Sequence, residues 1–528
     1  MTDSITGATR QIARAAGTVM AAFVLSNLIG LVRQSLISRE FGTKGVIDAY
    51  FAASTYPELV FSLIAGGALA SAFVPTVTGF LTKNERKSAW YLVSAIANLV
   101  ILLMTFISLI SAILAPWIVG HILAPKFSPP LQYLTTNLLR ILLISPIIFG
   151  VSGLCMGMLN AHQIFLWPAL GPSMYSLGMI FGVLFLTPSM GIYGLAWGAV
   201  LGALLHLGIQ IPAMLRLPGR RYFLTLGLRF AAVREVGRLM APRLLGVGAV
   251  QINFVVNVIL ATGQPEGSLT ALKNAWVIMA MPQVVIAQAI AIAALPTFSS
   301  QAARGAMDEM RGSLAATLRG VILLSLPATL GLILLRVPLT RLLYERGEFD
   351  AHSTQLVALA VLWYATGLIG HSFVEIVSRA FYALHNTLTP VLVSVGAMSL
   401  NIIFSIAFSA LFQTMGEPPL GGLALANSLA TTLEMFALLV LMRRRLGGIN
   451  GRAILVASLQ TCAAGLCMIA ALYGWLYLTQ GLSVWIVALV GVAVGGVVFT
   501  LSAWVIGIPE VRSGATIMYR RLGRKLPV

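Results

Sequence analysis

The sequence predicts an all-α, polytopic membrane protein of about fourteen transmembrane helices, built as two six-helix lobes related by a parallel repeat plus two extra C-terminal helices. Three observations predict it. Of 528 residues, 58% are hydrophobic and 9% charged, whereas a soluble domain carries about a quarter charged residues. Apolar runs recur from end to end, each long enough to cross roughly 30 Å of hydrocarbon as a helix of about 20 residues. Four motifs also recur in order at an offset near 220 residues. Closed helices rather than strands are the implied spans, because each helix satisfies its own backbone in lipid.

The first run, 17–38, follows Arg10 and Arg14 in the manner of a secretory signal. So many runs succeed it that a retained first helix is expected. Charged or Pro/Gly-rich breaks then delimit 49–80, 89–115, 131–158, 164–187 and 191–214, which with a basic linker complete a first lobe, 1–238. A second lobe, 239–450, holds 239–262, 270–299, 313–335, 353–383, 387–413 and 420–442. Runs 453–477 and 483–508 lie outside the repeat and, with a basic tail, make up 451–528. Prolines inside the runs, among them Pro57, Pro75, Pro146, Pro242, Pro282, Pro296, Pro327 and Pro390, each remove a backbone donor and can bend a helix.

The net charge of +18 is spread over short segments between apolar runs, a pattern of membrane orientation rather than of nucleic-acid binding. Segment 215–238 carries Arg216, Arg220, Arg221, Arg229, Arg234 and Arg238 against Glu235. Segment 443–452 carries Arg443, Arg444, Arg445 and Arg452, and the tail carries Arg512, Arg520, Arg521, Arg524 and Lys525 against Glu510. The alternate loops are balanced: 336–352 sets Arg336, Arg341 and Arg346 against Glu345, Glu348 and Asp350, and 414–419 holds only Glu417. An even number of spans with both termini cytoplasmic fits this asymmetry, in a bacterial inner membrane.

The repeat bears on function. The segment around Pro75 echoes that around Pro296 at an offset of 221, and Pro116 echoes Pro338 at 222. The segments at His162 and Gly194 echo those at His385 and Gly422. Two like lobes with even span counts are a transporter architecture that encloses a central site; a duplicated bundle without transport is the plainer alternative.

Ionisable groups at membrane depth are expensive and face a cavity or a partner. Arg33 lies well inside the first run, with Asn27 six residues before it. Its guanidinium can grip a phosphate through two parallel hydrogen bonds; snorkelling to the outer interface is the competing reading. Asp48 and Glu58 flank the start of the second run, Lys273 and Asn274 stand near the start of the eighth, and Asn253 and Asn257 share one face of the seventh. Lys273 reads equally as a second cavity cation and as an interfacial lysine. Glu375 and Arg379 have the spacing of an intrahelical ion pair. For Glu434, a packing hydrogen bond and proton coupling both stay open. His206 and His371 read as packing residues.

Cys155, Cys462 and Cys467 sit inside apolar runs without ligand spacing, as core thiols do. No Walker loop, GxSxG, HExxH or dinucleotide fingerprint is present. No enzyme, cofactor or metal site is therefore expected, and transport would draw on an ion gradient, the membrane potential or product removal.

The stretches FGTKGVIDAYFAA after the first run, GGALASAFVPTVTGF, LLYERGEFDAHST, SRAFYALHNTLTPV and GLALANSLATTLE stand in this order along the chain. Together they resemble the MurJ/MviN family of the larger exporter superfamily of flippases and drug antiporters. The resemblance covers essentially the whole chain. It implies a fourteen-helix V-shaped fold with a cationic central cavity, and movement of lipid II, an undecaprenyl-pyrophosphate-linked peptidoglycan precursor, to the outer leaflet. It further implies a lipid-tail groove on the last two helices, and Arg33 and Asp48 at functional positions. Where the family usually has further cavity arginines, this sequence reads Asn27, Phe61 and Val277. The expected partners are the lipid-linked oligosaccharide, membrane lipids and cell-wall synthases, with a role in cell-wall formation and cell shape. An exporter of another lipid-linked glycan or a small molecule, and a non-transporting envelope scaffold, are the alternatives.

Overall fold

The computed structural model describes the backbone of residues 2–64 and 67–512, and their side chains except at 2–19, 64, 67–72, 241–247, 249 and 250. The expected basic tail beyond Arg512, and the side chains of Arg10, Arg14 and Pro242, lie outside the described residues. Among the described residues every regular element is helical, the form that leaves no backbone group unpaired in hydrocarbon.

Contacts divide the chain into two compact units: Met1–Thr270 with Arg346–Phe349, and Ala271–Glu345 with Asp350–Val528. The first opens with α1 (Thr2–Phe41), α2 (Gly45–Ile64), α3 (Gly67–Thr82), α4 (Arg86–Ile113) and the short α5 (Ala115–Ile118). It continues with α6 (Pro129–Leu142), α7 (Ile144–Ala161), α8 (Leu166–Phe181), α9 (Thr187–Met190), α10 (Ile192–Gly208), α11 (Ile211–Leu215) and α12 (Ala231–Thr262). Helix α13 (Ser268–Gln283) begins in the first unit. The second holds α14 (Ala289–Ala303), α15 (Met307–Leu334), α16 (Arg336–Tyr344), α17 (Ala351–Thr366), α18 (Leu368–Ala383), α19 (Leu388–Thr414), α20 (Leu420–Leu446), α21 (Gly451–Leu478) and α22 (Gly491–Ile506).

Eleven described helices are long and apolar enough to cross a membrane, or twelve when α17 and α18, bent by 44° at Gly367, count as one span. The other two expected runs, 49–80 and 239–262, contain residues outside the description; they include the shorter apolar helices Phe73–Thr82 and Gln251–Thr262. Helix α12, expected to open the second lobe, packs on α2 and α3 in the first unit.

Each unit has its own core. In the first, Phe73, Leu92, Met104, Leu154, Met158 and Val236 bring α3, α4, α7 and α12 together. In the second, Phe298, Leu318, Val321, Ile376, Phe381 and Leu438 join α14, α15, α18 and α20. Helices α21 and α22 add a third cluster, where Met468, Leu472 and Phe499 meet Leu326 and Leu330 of α15. The outward faces remain apolar, as in Leu466 at 67% exposed and Val505 at 72%, which suits a lipid solvent.

Small residues let two helices cross almost backbone to backbone. Gly178 and Gly182, on α8 and its π-helical continuation Gly182–Leu186, face Gly194, Gly198 and Gly202 of α10. A methyl group on Gly198 would stand 2.7 Å from the Gly182 Cα. Gly422, the counterpart of Gly194, meets the backbone of Phe408 on α19 in the same way.

Backbone irregularities also repeat at the expected offset. Leu114 and Leu335, 221 residues apart, break α4 from α5 and α15 from α16 with nearly the same dihedrals, φ −81° ψ 0° and φ −94° ψ 12°. Asn84 and Gly305 both adopt positive φ, 60° and 68°, as do Gln163 and His385, 60° and 56°. The basic linker before α12 is stapled down: Asn98 donates to the Phe223 and Thr225 carbonyls at 3.0 and 2.9 Å and accepts from Tyr222. Asp350 caps α17 by accepting from the Ser353 amide at 2.8 Å, which holds its carboxyl below the usual carboxylate range.

Candidate functional site

Arg33 is carried by α1 against α8, which the glycine crossing fixes on α10. Its Nη1 donates to Ser176 Oγ at 3.3 Å, and its buried Nε meets no hydrogen-bond partner among the described residues. A guanidinium with an unspent donor at this depth costs free energy unless a ligand or water completes it. Tyr50 and Tyr175 lie in the neighbourhood of Arg33 and Glu58. Arg33, Ser176, Tyr50, Tyr175 and the exposed Glu58 therefore form one polar group inside the first unit.

Beside it lies an aromatic stack. Phe61 meets Phe149 at 5.2 Å, and Phe149 meets Tyr175 and His206 edge-on, each at 5.3 Å. Phe61 is one of the positions where a guanidinium was expected by resemblance, and here an apolar ring occupies it. His206 bonds Ser152 at 2.6 Å and packs under Gly171, a packing role. Asn27 is exposed and donates back to the Phe23 carbonyl at 2.9 Å, apart from the Arg33 group. Asn257 donates to the carbonyl and side chain of Asn253 at 2.9 and 3.1 Å.

Asp48 stands elsewhere in the first unit and is only 3% exposed. Its Oδ2 accepts from the Gly267 amide at 2.7 Å, and its Oδ1 accepts from the Thr270 amide and hydroxyl at 2.8 and 2.5 Å. It thus does for the N-terminus of α13 what an N-cap side chain does from within the helix. The arrangement is reciprocal, because Glu266 accepts from the Gly45 amide at the N-terminus of α2. Gly267 has φ +86° and its Cα faces Thr43, so no side chain fits there. The segment 346–349 joins this cluster: the Glu348 amide donates to the Arg39 carbonyl at 2.9 Å, and its carboxylate pairs with the exposed Lys44.

In the second unit, Lys273 is partly buried and the adjoining Asn274 fully so, its carbonyl 3.5 Å from the Tyr344 hydroxyl. Arg379 and Glu375 pair at 2.7 Å along one helix face, with Arg379 also 5.9 Å from the Tyr382 ring. Glu434 accepts from Ser394 across α19 and α20. Among the described residues no group of three or more His, Cys, Asp or Glu side chains is placed to hold a metal ion.

Sequence reasoning missed Ser176, Tyr50, Tyr175, Glu266 and Thr270. The repeat held a signal for two of them, since an offset of 222 sets Lys44 on Glu266 and Asp48 on Thr270. Nothing local marks Ser176 or Tyr175, which reach Arg33 only through helix packing.

The family model described as "Lipid II flippase MurJ" matches residues 37–493, beginning just after Arg33. A Burkholderia cenocepacia protein named "Lipid II flippase MurJ" is 27% identical over 438 residues, covering 82% of this chain and 84% of its own. A Synechocystis "Probable lipid II flippase MurJ" is 27% identical over 490 residues, 90% of this chain and 89% of its own. A solved "Lipid II flippase MurJ, inward closed conformation" superimposes with a TM-score of 0.78 at 24% identity, covering 96% of this chain and 99% of the other. An inward-facing multidrug resistance MATE family transporter of the MOP superfamily gives 0.66 at 15% identity, covering 80% and 94%. The last two likenesses speak to the fold.

Proposed function

The chain belongs to the lipid II flippase MurJ family, a multi-pass inner-membrane family, and from that membership we propose that it flips lipid II to the outer leaflet by alternating access. The observation that carries the reading is the family match over residues 37–493. The protein acts as a transporter, not an enzyme. We assign the pyrophosphate to Arg33, whose partly buried guanidinium keeps Nε unspent. Ser176 accepts from that guanidinium and helps hold it in place. The prenyl tail stays in the bilayer, and removal of the product by cell-wall synthases draws transport forward.

Asp48 belongs in this reading as a brace for α13 rather than as a direct substrate contact. A second reading, export of another lipid-linked glycan, is favoured by the aromatic stack at Phe61, which offers ring faces where a cation would otherwise meet phosphate.

Complementation of a bacterium depleted of its own lipid II flippase tests the proposal, with parent and Arg33→Ala at matched membrane expression. Rescue by the parent that is lost in Arg33→Ala and partly restored in Arg33→Lys supports headgroup binding there, since lysine keeps the charge without the fork. A well-inserted parent that fails to rescue rejects lipid II as the substrate. Rescue by Arg33→Ala equal to the parent rejects the assignment of Arg33.

A further inference from the structure

Glu58 stands in the Arg33 group in a way that phosphate binding does not explain. It lies about 20 Å along α2 from Gly45, at roughly 1.5 Å per residue, inside the second apolar run. Its side chain is exposed and makes no hydrogen bond or ion pair among the described residues. A bare carboxylate at this depth is too costly to face acyl chains, so it faces water or a ligand.

Two routes through the structure tie it to Arg33. Tyr50 and Tyr175 both have Arg33 and Glu58 as charged neighbours. Along α2, Glu58 and Phe61 are about one turn apart and share a face. Phe61 meets Phe149 at 5.2 Å, Phe149 meets Tyr175 at 5.3 Å, and the adjoining Ser176 accepts from Arg33 at 3.3 Å. All of these residues belong to the first unit. Yet neither Arg33 nor Glu58 takes part in an ion pair among the described residues. Opposite charges thus share one polar group without neutralising each other. A ligand carrying phosphates alone would be repelled by the carboxylate. A ligand carrying phosphates and an ammonium gives each side chain the counter-ion it lacks.

We propose that Glu58 receives an ammonium group of the transported headgroup while Arg33 receives its pyrophosphate, so that the site selects a lipid-linked substrate bearing both signs of charge. This assignment rests on lipid II being the substrate, whose stem peptide supplies the amine. Glu58 is then a specificity-determining residue, and Arg33 sets affinity for any pyrophosphate-linked form.

Native mass spectrometry of the detergent-purified full chain tests the contact with two probes, lipid II carrying lysine in its stem peptide and the same lipid with that amine acetylated. Acetylation removes the positive charge and leaves the pyrophosphate, the sugars and the prenyl tail. The expected result is a preference of the parent for the free amine of about fivefold, the strength of a partly solvated charge pair. Glu58→Gln should retain both forms as the parent retains the acetylated one, and Glu58→Asp should keep part of the preference. Arg33→Ala should weaken both forms and leave their ratio unchanged. Glu58 bonds nothing among the described residues, so Glu58→Gln should fold, and retention of the acetylated form at the parent's level shows that it has. Equal retention of the two forms by the parent overturns the ammonium site and leaves the lipid II reading standing. A preference that persists in Glu58→Gln, at whatever overall affinity, overturns the assignment to Glu58. Retention of neither form by the parent overturns this assignment together with the lipid II reading.

Discussion

At the scale of single residues, Arg33 and Asp48 were both readable as charged groups at costly depths, but the structure gives them opposite surroundings. Arg33 keeps an unspent buried donor, whereas both Asp48 oxygens are fully engaged by Gly267 and Thr270. A satisfied carboxylate that caps a helix acts first on stability. Asp48→Ala leaves two backbone amides without an acceptor, at about 1–3 kcal/mol each, and should lower the thermal midpoint of the purified protein in the absence of any substrate. Thr270→Val, which deletes only the hydroxyl bond, should lower it less. A melt unchanged in Asp48→Ala, combined with lost complementation, would instead make Asp48 a substrate contact. The difference between the two residues was not legible beforehand, because sequence records the charge but not the partner that reaches it from more than 200 positions away. Intrahelical pairs were legible for the opposite reason: Glu375 and Arg379 need only the helix itself to meet.

At the scale of elements, the apolar runs translated into helices because hydrocarbon permits little else, and the breaks at Leu114 and Leu335 fell beside the repeated prolines Pro116 and Pro338. What the runs could not convey was which faces touch. The α8 and α10 crossing depends on glycines whose spacing is visible but whose partner is not. Since α8 carries Ser176 to Arg33, this crossing links packing to the candidate site. Gly198→Ala places a methyl 2.7 Å from the Gly182 Cα, so the helices must part, at about 1–3 kcal/mol of overpacking. The expected outcome is a lower melting temperature together with weaker complementation. Gly208→Ala on the same helix, where a methyl meets nothing within 4 Å, should do neither.

At the scale of the whole molecule, the duplicated pattern of breaks and left-handed turns implies that each unit inherits the same succession of membrane crossings. An even number of crossings per repeat keeps equivalent loops on the same side, so the charge imbalance becomes a statement about orientation. We expect 215–238 and 443–452 to face the cytoplasm, because lysine- and arginine-rich short loops resist translocation. Loop 414–419 should face outward. Substituted-cysteine labelling decides this in a variant lacking Cys155, Cys462 and Cys467, two of which are exposed on the apolar surface. Glu417→Cys should react in intact cells with a membrane-impermeant maleimide, and Arg444→Cys only after permeabilisation. The reverse pattern would invert the molecule and reverse the direction of the proposed transport. Labelling of both sites in intact cells would break the even count, and with it the parallel relation of the repeats.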